Sequence, residues 1–287
     1  MSKASVFENK KICVFGATGT IGTLIVNHLL TQNPEVIRVF ANSENSLWLS
    51  RQQWKEINIR YLLGDIRSLE RVRSALKDID YVFNAAAVKH VDFAEYNPME
   101  AVSVNINGLN NIIQACIERK VKKLLHISTD KVVNTSTVMG ATKLIGERLV
   151  QIRWSQNPTV QMVVVRLGNV WNSRGSIVPL IHECMKQHRP IPLTHPEMTR
   201  YFIQPEELIK FVMDAFENGG KGEIYVPKLK VVKILDLIHN EAGISYPFET
   251  IGIRRGEKLS EELISQEELR FATELQDKWI IKHEIKW

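Results

Sequence analysis

The run Lys11-Ile12-Cys13-Val14-Phe15, followed at once by Gly16-Ala17-Thr18-Gly19-Thr20-Ile21-Gly22, constrains this chain more than any other stretch. A short apolar run stopped by glycine reads as a buried strand. The glycines permit a tight turn and let backbone N–H groups approach a pyrophosphate, whose charge is then met by the amino end of the following helix. That helix shows its core stripe as Ile21, Leu24, Ile25, His28 and Leu29, with His28 read as a half-buried helix residue. A glycine septet alone is a weak signal, but a strand before it and an amphipathic helix after it make a dinucleotide fingerprint. Gly16, Thr18, Gly19, Thr20, Ile21 and Gly22 are the first cofactor-binding candidates.

The pattern repeats downstream. A strand over Val36–Phe40 ends at Ala41-Asn42-Ser43. The residue about twenty positions past the last glycine decides the cofactor: an acid holds free ribose hydroxyls, an arginine accepts an extra phosphate. Asn42 does neither. Asn42, Ser43 and Ser46 can donate to a phosphate and no carboxylate stands at position 42 to repel one, so the reading is NADP or NAD with a slight lean to NADP. A strand over Ile57–Leu63 places Asp65 and Ile66 to cover the adenine, and a strand over Tyr81–Phe83 leads into Ala85 and Ala86, small enough for the backbone to lie against the cofactor. A long helix follows with Leu109, Ile112, Ile113, Cys116 and Ile117 on its core face. Asn105 on that helix either bonds beneath the site or faces solvent; Lys89 and His90, past a strand end, either reach the substrate or are solvated loop residues.

After a strand over Gln161–Leu167 the alternation loosens and polar loops lengthen. The expectation is an α/β protein: a Rossmann-like, doubly wound parallel sheet over residues 1–168, with a smaller C-terminal substrate-binding lobe over 169–287 partly interleaved with the sheet. Asn169, Arg174, Ser176, Arg200, Arg254 and Glu257 sit in the strand ends and polar loops of this half, and its arginines either converge on a diphosphate or are separate surface residues. A hydrophobic share of 44% with 24% charged residues excludes a disordered chain. The net charge of +5 comes without a dense basic run, which excludes a nucleic-acid patch and suits a small anionic ligand. Cys13, Cys116 and Cys184 read as reduced core thiols, and no metal site is expected. Met1-Ser2-Lys3-Ala4 opens no signal peptide and no apolar run approaches the ~18 residues of a membrane span, so a cytoplasmic protein is expected.

The chemistry belongs to Ser128-Thr129-Asp130-Lys131, which emerges from the apolar run Lys123-Leu124-Leu125-His126-Ile127 at the carboxyl end of a strand, where open α/β sheets place their ligands. Met139-Gly140-Ala141-Thr142-Lys143 follows. A hydroxyl, a carboxylate and an amine in succession, with a second lysine on the next helix, are the parts of an acid/base site. The alternative, an exposed Asp130–Lys131 ion pair, would contribute under about 1 kcal/mol and carry no chemistry. In the short-chain dehydrogenase pattern Tyr-x-x-x-Lys a tyrosine would stand at position 139, and the thioether of Met139 cannot take its proton.

With Ala86-Ala87-Val88-Lys89-His90-Val91, Glu95-Tyr96-Asn97-Pro98, Val165-Arg166-Leu167-Gly168-Asn169-Val170, Ser173-Arg174-Gly175-Ser176 and Thr194-His195-Pro196-Glu197-Met198-Thr199-Arg200, these stretches resemble the extended short-chain dehydrogenase/reductase family along almost the whole chain. More narrowly they resemble the UDP-N-acetylglucosamine 4,6-dehydratases; Lys131, where the dTDP-glucose dehydratases carry glutamate, favours the UDP-sugar group, and Met139 is similar to the configuration-retaining type. The chain departs from that pattern at Thr135, where a proline is usual, at the neutral Asn42, and in lacking the membrane region of the large members. The resemblance implies a nucleotide-sugar substrate, a homo-oligomer, and three steps: oxidation at C4, loss of water across C5 and C6, and hydride return to C6. On that chemistry Lys131 is the candidate base at C5, Asp130 the candidate acid at the C6 oxygen, Thr129 the partner of the 4-oxygen and Lys143 the holder of the nicotinamide ribose. Without a tyrosine the acceptor of the 4-hydroxyl proton is left open, with Asp130, directly or through Thr129 or a water, as the hypothesis. A UDP-hexose 4-epimerase, a GDP-N-acetylglucosamine 4,6-dehydratase and a silent dinucleotide sensor are the alternatives.

Overall fold

The computed structural model describes residues 5–254 and 256–283; Arg255 of the loop at 254–258 and the opening Met1-Ser2-Lys3-Ala4 lie outside the described residues. Strand and helix alternate from the start: β1 (Lys11–Phe15), α1 (Thr20–Leu30), β2 (Val36–Ala41), α2 (Glu44–Gln53), β3 (Ile59–Leu63), α3 (Leu69–Ala75) and β4 (Tyr81–Asn84). Then come α4 (Val91–Tyr96), α5 (Pro98–Val102), α6 (Leu109–Glu118), β5 (Lys123–Thr129), α7 (Val138–Gln156) and β6 (Gln161–Leu167). The remainder holds β7 (Asn169–Val170), α8 (Ile177–Lys186), β8 (Ile191–Leu193), β9 (Thr199–Ile203), α9 (Pro205–Asn218) and β10 (Glu223–Pro227). It closes with β11 (Val231–Lys233), α10 (Ile234–Ala242), β12 (Phe248–Thr250), α11 (Gln266–Leu269), β13 (Ala272–Glu274) and β14 (Lys278–Ile281).

A nine-stranded sheet runs in the order β13-β14-β10-β6-β5-β4-β1-β2-β3. From β3 to β10 every neighbouring pair is parallel, and β14 and β13 add an antiparallel edge. Parallel strands are covered on both faces, which is why they read as near-continuous apolar runs. Ile25, Leu29, Phe211 and Val212 of α1 and α9 pack with Val14, Leu125 and Ile127 on one face. Val72, Ile112, Cys116 and Val150 of α3, α6 and α7 pack with Cys13, Leu124 and Val164 on the other. Because side chains alternate along a strand, His126 and Ser128 lie on the face of Leu124, toward α7. The strand order reverses at β1, between β2 and β4, and such a switch point opens a crevice beyond the carboxyl ends of the strands.

The second half of the chain divides its residues between sheet and lobe. Val178, Ile181, Leu193, Phe202, Ile234 and Ile238 form a separate apolar core on α8 and α10, beside the small sheets β11-β9-β7 and β12-β8. Between them α9 and β10 return to the large sheet, β10 pairing with β6 through Glu223↔Val163 to Tyr225↔Val165.

The long helix before β5 differs from the regular one its periodicity predicts. Leu109, Ile112, Ile113 and Cys116 are buried as expected, but Ser103–Gly108 forms a π turn between α5 and α6. Turns of this kind re-aim a side chain at the cost of regular hydrogen bonding, and here that side chain is Asn105. Cys13, Cys116 and Cys184 are buried and free, and burial pushes the Cys13 thiol up to about 12. Among the described residues no helix is long and apolar enough to cross a membrane.

Candidate active site

The glycine turn is forced by contact. Gly16 has φ +70°, and a Cβ on it would stand 2.6 Å from the backbone nitrogen of Ala86. Only glycine lets the end of β1 lie so close to the end of β4. A cavity of about 860 Å³ opens there, walled by Gly16, Thr18, Gly19, Thr20, Ile21 and Gly22. Asn42, Asp65, Ile66, Ala85 and Ala86 continue the wall. The N-cap of α1, Gly19, supplies no side-chain cap, so the first N–H groups of this helix are open to an anion. A backbone cradle that a Cβ would fill, leading to an uncapped helix amino end, fits a dinucleotide. Ser43 stands apart from the wall: its hydroxyl oxygen caps α2, accepting from Ser46 N at 3.2 Å and from the Ser46 hydroxyl at 3.0 Å. Arg67 clasps the Asp65 carboxylate at 2.6 and 2.9 Å and holds it below the usual carboxylate range.

The end of β5 supplies the polar floor. The Thr129 hydroxyl donates to Asp130 Oδ1 at 2.9 Å, Lys131 Nζ donates to the same oxygen at 2.9 Å, and Lys131 Nζ also reaches Asn169 Oδ1 at 3.4 Å. Asp130 is wholly buried, and its Oδ2 has no protein partner. An exposed ion pair is therefore ruled out: Thr129 and Lys131 face the cavity, while the carboxylate lies behind them. Met139 and Lys143, one helical turn apart on α7, both line the cavity. Met139 packs with Ala94, Ala101, Val88 and Val91, an apolar wall where the dehydrogenase pattern has a hydroxyl. Lys143 Nζ donates to the Ile127 carbonyl at 2.5 Å and lies 3.2 Å from His126 Nε2. Burial pulls the Lys143 pKa down to about 8, against the opposing charge of Glu147. Burial first, and Lys143 second, keep His126 well below the usual imidazole value.

The substrate candidates separate. Lys89, His90, Asn169, Ser176, Arg200 and Glu257 line the cavity. Lys89 Nζ donates to the Arg174 carbonyl at 2.6 Å, and burial, then Arg174, lower its pKa. Arg200 lies 3.7 Å from Glu257 and donates to the Thr199 carbonyl at 2.7 Å. Asn105 lies beneath the wall: it accepts from Val88 N at 2.8 Å and donates to Val88 O at 3.0 Å and to Thr142 Oγ1 at 2.9 Å, tying the loop after β4 to α7. The three arginines do not converge. Arg200 and Arg254 border an adjoining cavity of about 520 Å³, whereas the Arg174 guanidinium is held by the Thr18 carbonyl of the glycine turn. Among the described residues no cluster of three or more His, Cys, Asp or Glu could hold a metal.

Sequence reading missed the support behind this floor. Glu147, wholly buried, takes the Ser128 hydroxyl at 2.6 Å and Arg166 at 2.7 and 3.1 Å. Arg166, also wholly buried, donates to Glu268 of α11 at 2.7 and 2.9 Å; against the cost of burial, Glu147 and Glu268 together raise its pKa. The signal was present, since an arginine inside the apolar strand Met162-Val163-Val164-Val165-Arg166-Leu167 requires a buried partner.

A parallel sheet with its switch point at a glycine turn, a strand-end hydroxyl, and a buried lysine on the helix behind it define an α/β protein of the extended short-chain dehydrogenase/reductase type. The chain belongs to the polysaccharide biosynthesis protein family, whose model matches residues 12–283. It is 41% identical over 290 residues to an uncharacterized membrane protein of Methanocaldococcus jannaschii, covering 97% of this chain and 87% of that one. It is 38% identical over 286 residues to the UDP-N-acetylglucosamine 4,6-dehydratase (inverting) of Campylobacter jejuni, covering 98% and 85%. A UDP-glucose 4-epimerase of Rickettsia felis is 34% identical, covering 94% and 82%. Among solved structures, Pen from Bacillus thuringiensis superposes with a TM-score of 0.92 at 37% identity, covering 98% of this chain and 90% of that one. The dTDP-glucose 4,6-dehydratase DesIV of Streptomyces venezuelae, solved with NAD bound, gives 0.80 at 17% identity, covering 91% and 90%, and shares the fold. The lean to NADP finds no support: Ser43 and Ser46, read as donors to an extra phosphate, are bonded to each other and do not line the cavity.

Proposed function

We propose that the protein is a nucleotide-sugar 4,6-dehydratase that converts UDP-N-acetylglucosamine to its 4-keto-6-deoxy product in glycan biosynthesis. The observation that carries the reading is the hydrogen-bonded set Thr129, Asp130 and Lys131 at the end of β5, whose Thr129 and Lys131 line the same cavity as Met139 and Lys143. The family match and the 38% identity to a UDP-N-acetylglucosamine 4,6-dehydratase support it. The glycine turn, Asn42, Asp65 and Lys143 would hold NAD or NADP, which when bound supplies a hydride acceptor at C4 and donor at C6. Thr129 hydrogen-bonds the 4-oxygen. Once C4 is a ketone the C5 proton is acidified, and Lys131, a side chain of the cavity wall, removes it. Asp130, bonded to Thr129 and Lys131 behind the cavity wall, supplies through them the proton with which the 6-hydroxyl leaves as water, and the proton held on Lys131 returns to C5 in the 4-keto-6-deoxy product. Asn169 and Arg200 orient the sugar and diphosphate from the lobe side.

Incubating purified protein with UDP-N-acetylglucosamine and with GDP-N-acetylglucosamine, then weighing the products, tests this directly. Loss of one water from the UDP-sugar is the expected result. An unchanged mass with altered C4 configuration would make it an epimerase, and no change with either sugar would remove the reading. Asp130→Asn and Lys131→Ala should abolish the product while leaving cofactor bound; undiminished turnover in either would sink the residue roles.

A further inference from the structure

Between the sheet and α7 lies a polar chain that none of these steps uses. Asn84 and His126 are register partners on β4 and β5, both buried, with Asn84 Nδ2 3.1 Å from His126 Nδ1. On its other side the ring places Nε2 3.2 Å from Lys143 Nζ. Gly146 of α7 lies over the ring: a Cβ there would meet Nε2 at 3.5 Å, an ordinary packing distance.

One backbone donor sets the direction of every bond in this chain. Ala86 N–H donates to Asn84 Oδ1 at 3.1 Å, so the amide presents its NH₂ to the ring. Nδ1 must accept it, and a neutral imidazole that accepts at Nδ1 carries its proton on Nε2. That proton points at Lys143 Nζ. An ammonium there would set donor against donor in a buried site, which is costly. A free amine instead accepts from Nε2–H and still donates to the Ile127 carbonyl.

We infer that Asn84 and His126 are positioning residues that keep Lys143 poised as a free amine, and that this amine receives the substrate hydroxyl proton that Met139 cannot take. The second half rests on the dehydratase reading above. In that step the O–H bond at C4 breaks and its proton passes to Nζ, giving the ammonium. A bound oxidised nicotinamide would accept the electron pair of the C4–H bond as hydride, leaving a carbonyl at C4. The charged groups around α7 are already committed: Glu147 to Ser128 and Arg166, Asp130 to Lys131, and Glu95 of α4 to Val138 N. Asn105 and Leu109, facing from the π turn and α6, are uncharged. Burial acts in the same direction on the lysine.

The test is nitrogen NMR on substrate-free, full-length, ¹⁵N-labelled protein. His126 should show the Nε2–H tautomer from about pH 6 to 9. Lys143, assigned by the resonance missing in Lys143→Met, should titrate with a midpoint no higher than about 8. Asn84→Asp sets a carboxylate against Nδ1, which then keeps the proton; Nε2 becomes an acceptor and Lys143 an ammonium. Its midpoint should rise by about one unit or more, so that at the old midpoint the amine fraction falls from about a half to about a tenth. The pH midpoint of single-turnover nicotinamide reduction should rise with it. An Nδ1–H tautomer in the native protein, or a Lys143 midpoint near the ordinary ~10.4, overturns the inference. A reduction midpoint that stays fixed while the lysine midpoint moves overturns its role as proton acceptor. The native tautomer decides the matter even if Asn84→Asp does not fold. Tautomer and titration are read without substrate, so they fail or hold independently of which product the protein makes.

Discussion

Replacing Lys143 by methionine should change the pH dependence of stability by an amount the structure sets. Lys143 is buried, and its folded pKa lies near 8, below the ~10.4 of an unfolded chain. A lysine with a depressed folded pKa penalises the fold while it is protonated in both states, and the penalty is relieved as pH rises through the folded value. Between about pH 7 and pH 10 the unfolded chain keeps this proton while the folded chain loses it over about two units. Stability therefore rises on the order of 2 kcal/mol with pH on account of this residue alone. The variant lacks that rise. Loss of the bond to the Ile127 carbonyl and repacking around the thioether contribute a constant that cancels between the two pH values. His126 is neutral throughout this window, since its pKa is held well below the usual value, and it too cancels. Urea unfolding of both proteins at about pH 7 and pH 10 measures the double difference. An equal stability gap at the two pH values would show that Lys143 titrates in the folded protein as it does unfolded, and the buried-amine reasoning would fail.

Three further outcomes follow from the same geometry. Arg166→Met leaves Glu147 buried without its partner and should cost about 3–5 kcal/mol in a denaturant titration; a loss under about 1 kcal/mol would mean that the triad adds nothing net. Gly16→Ala places a Cβ 2.6 Å from Ala86 N at a φ of +70°, and should weaken nicotinamide cofactor binding about tenfold or more by fluorescence titration, consistent with roughly 1–3 kcal/mol of strain. Met139→Leu conserves volume in an apolar wall and should leave turnover within about twofold by product mass, whereas a loss beyond about tenfold would give the thioether a role that packing does not explain.

The sheet was legible because its grammar is local. β1, β5 and β6 are apolar runs bounded by polar strand ends, and Gly16 sits where a strand must turn into a helix, so periodicity and turn chemistry suffice. The same holds for Thr129, Lys131 and Lys143, which topology carries to the carboxyl edge of the strands and which line one cavity. Arg174 failed to join the other arginines because loop backbone, rather than loop composition, aims a side chain: the turn around Gly175, at φ +71°, sets its guanidinium on the Thr18 carbonyl. Asn105 was ambiguous for a related reason. A regular helix would set its direction by a fixed angle per residue, but the π turn changes that angle and swings it onto Val88.

The polar chain behind Lys143 lies at a deeper limit. Asn84 and His126 stand 42 residues apart, and nothing near either one announces the other. They meet because parallel pairing of β4 with β5 sets Asn84 against His126 while Tyr81 meets Lys123, and a shift of one residue would turn His126 to the opposite face. Register is decided by the apolar residues around them, Val82 against Leu124 and Phe83 against Leu125, each of which must keep to its own core. The proton state of Lys143 is thus set by hydrophobic packing of its neighbours' neighbours. A pattern search finds the lysine four residues beyond a methionine and sees a missing tyrosine. What replaces the tyrosine is a hydrogen-bond direction that begins at a backbone N–H of Ala86 and ends at an amine.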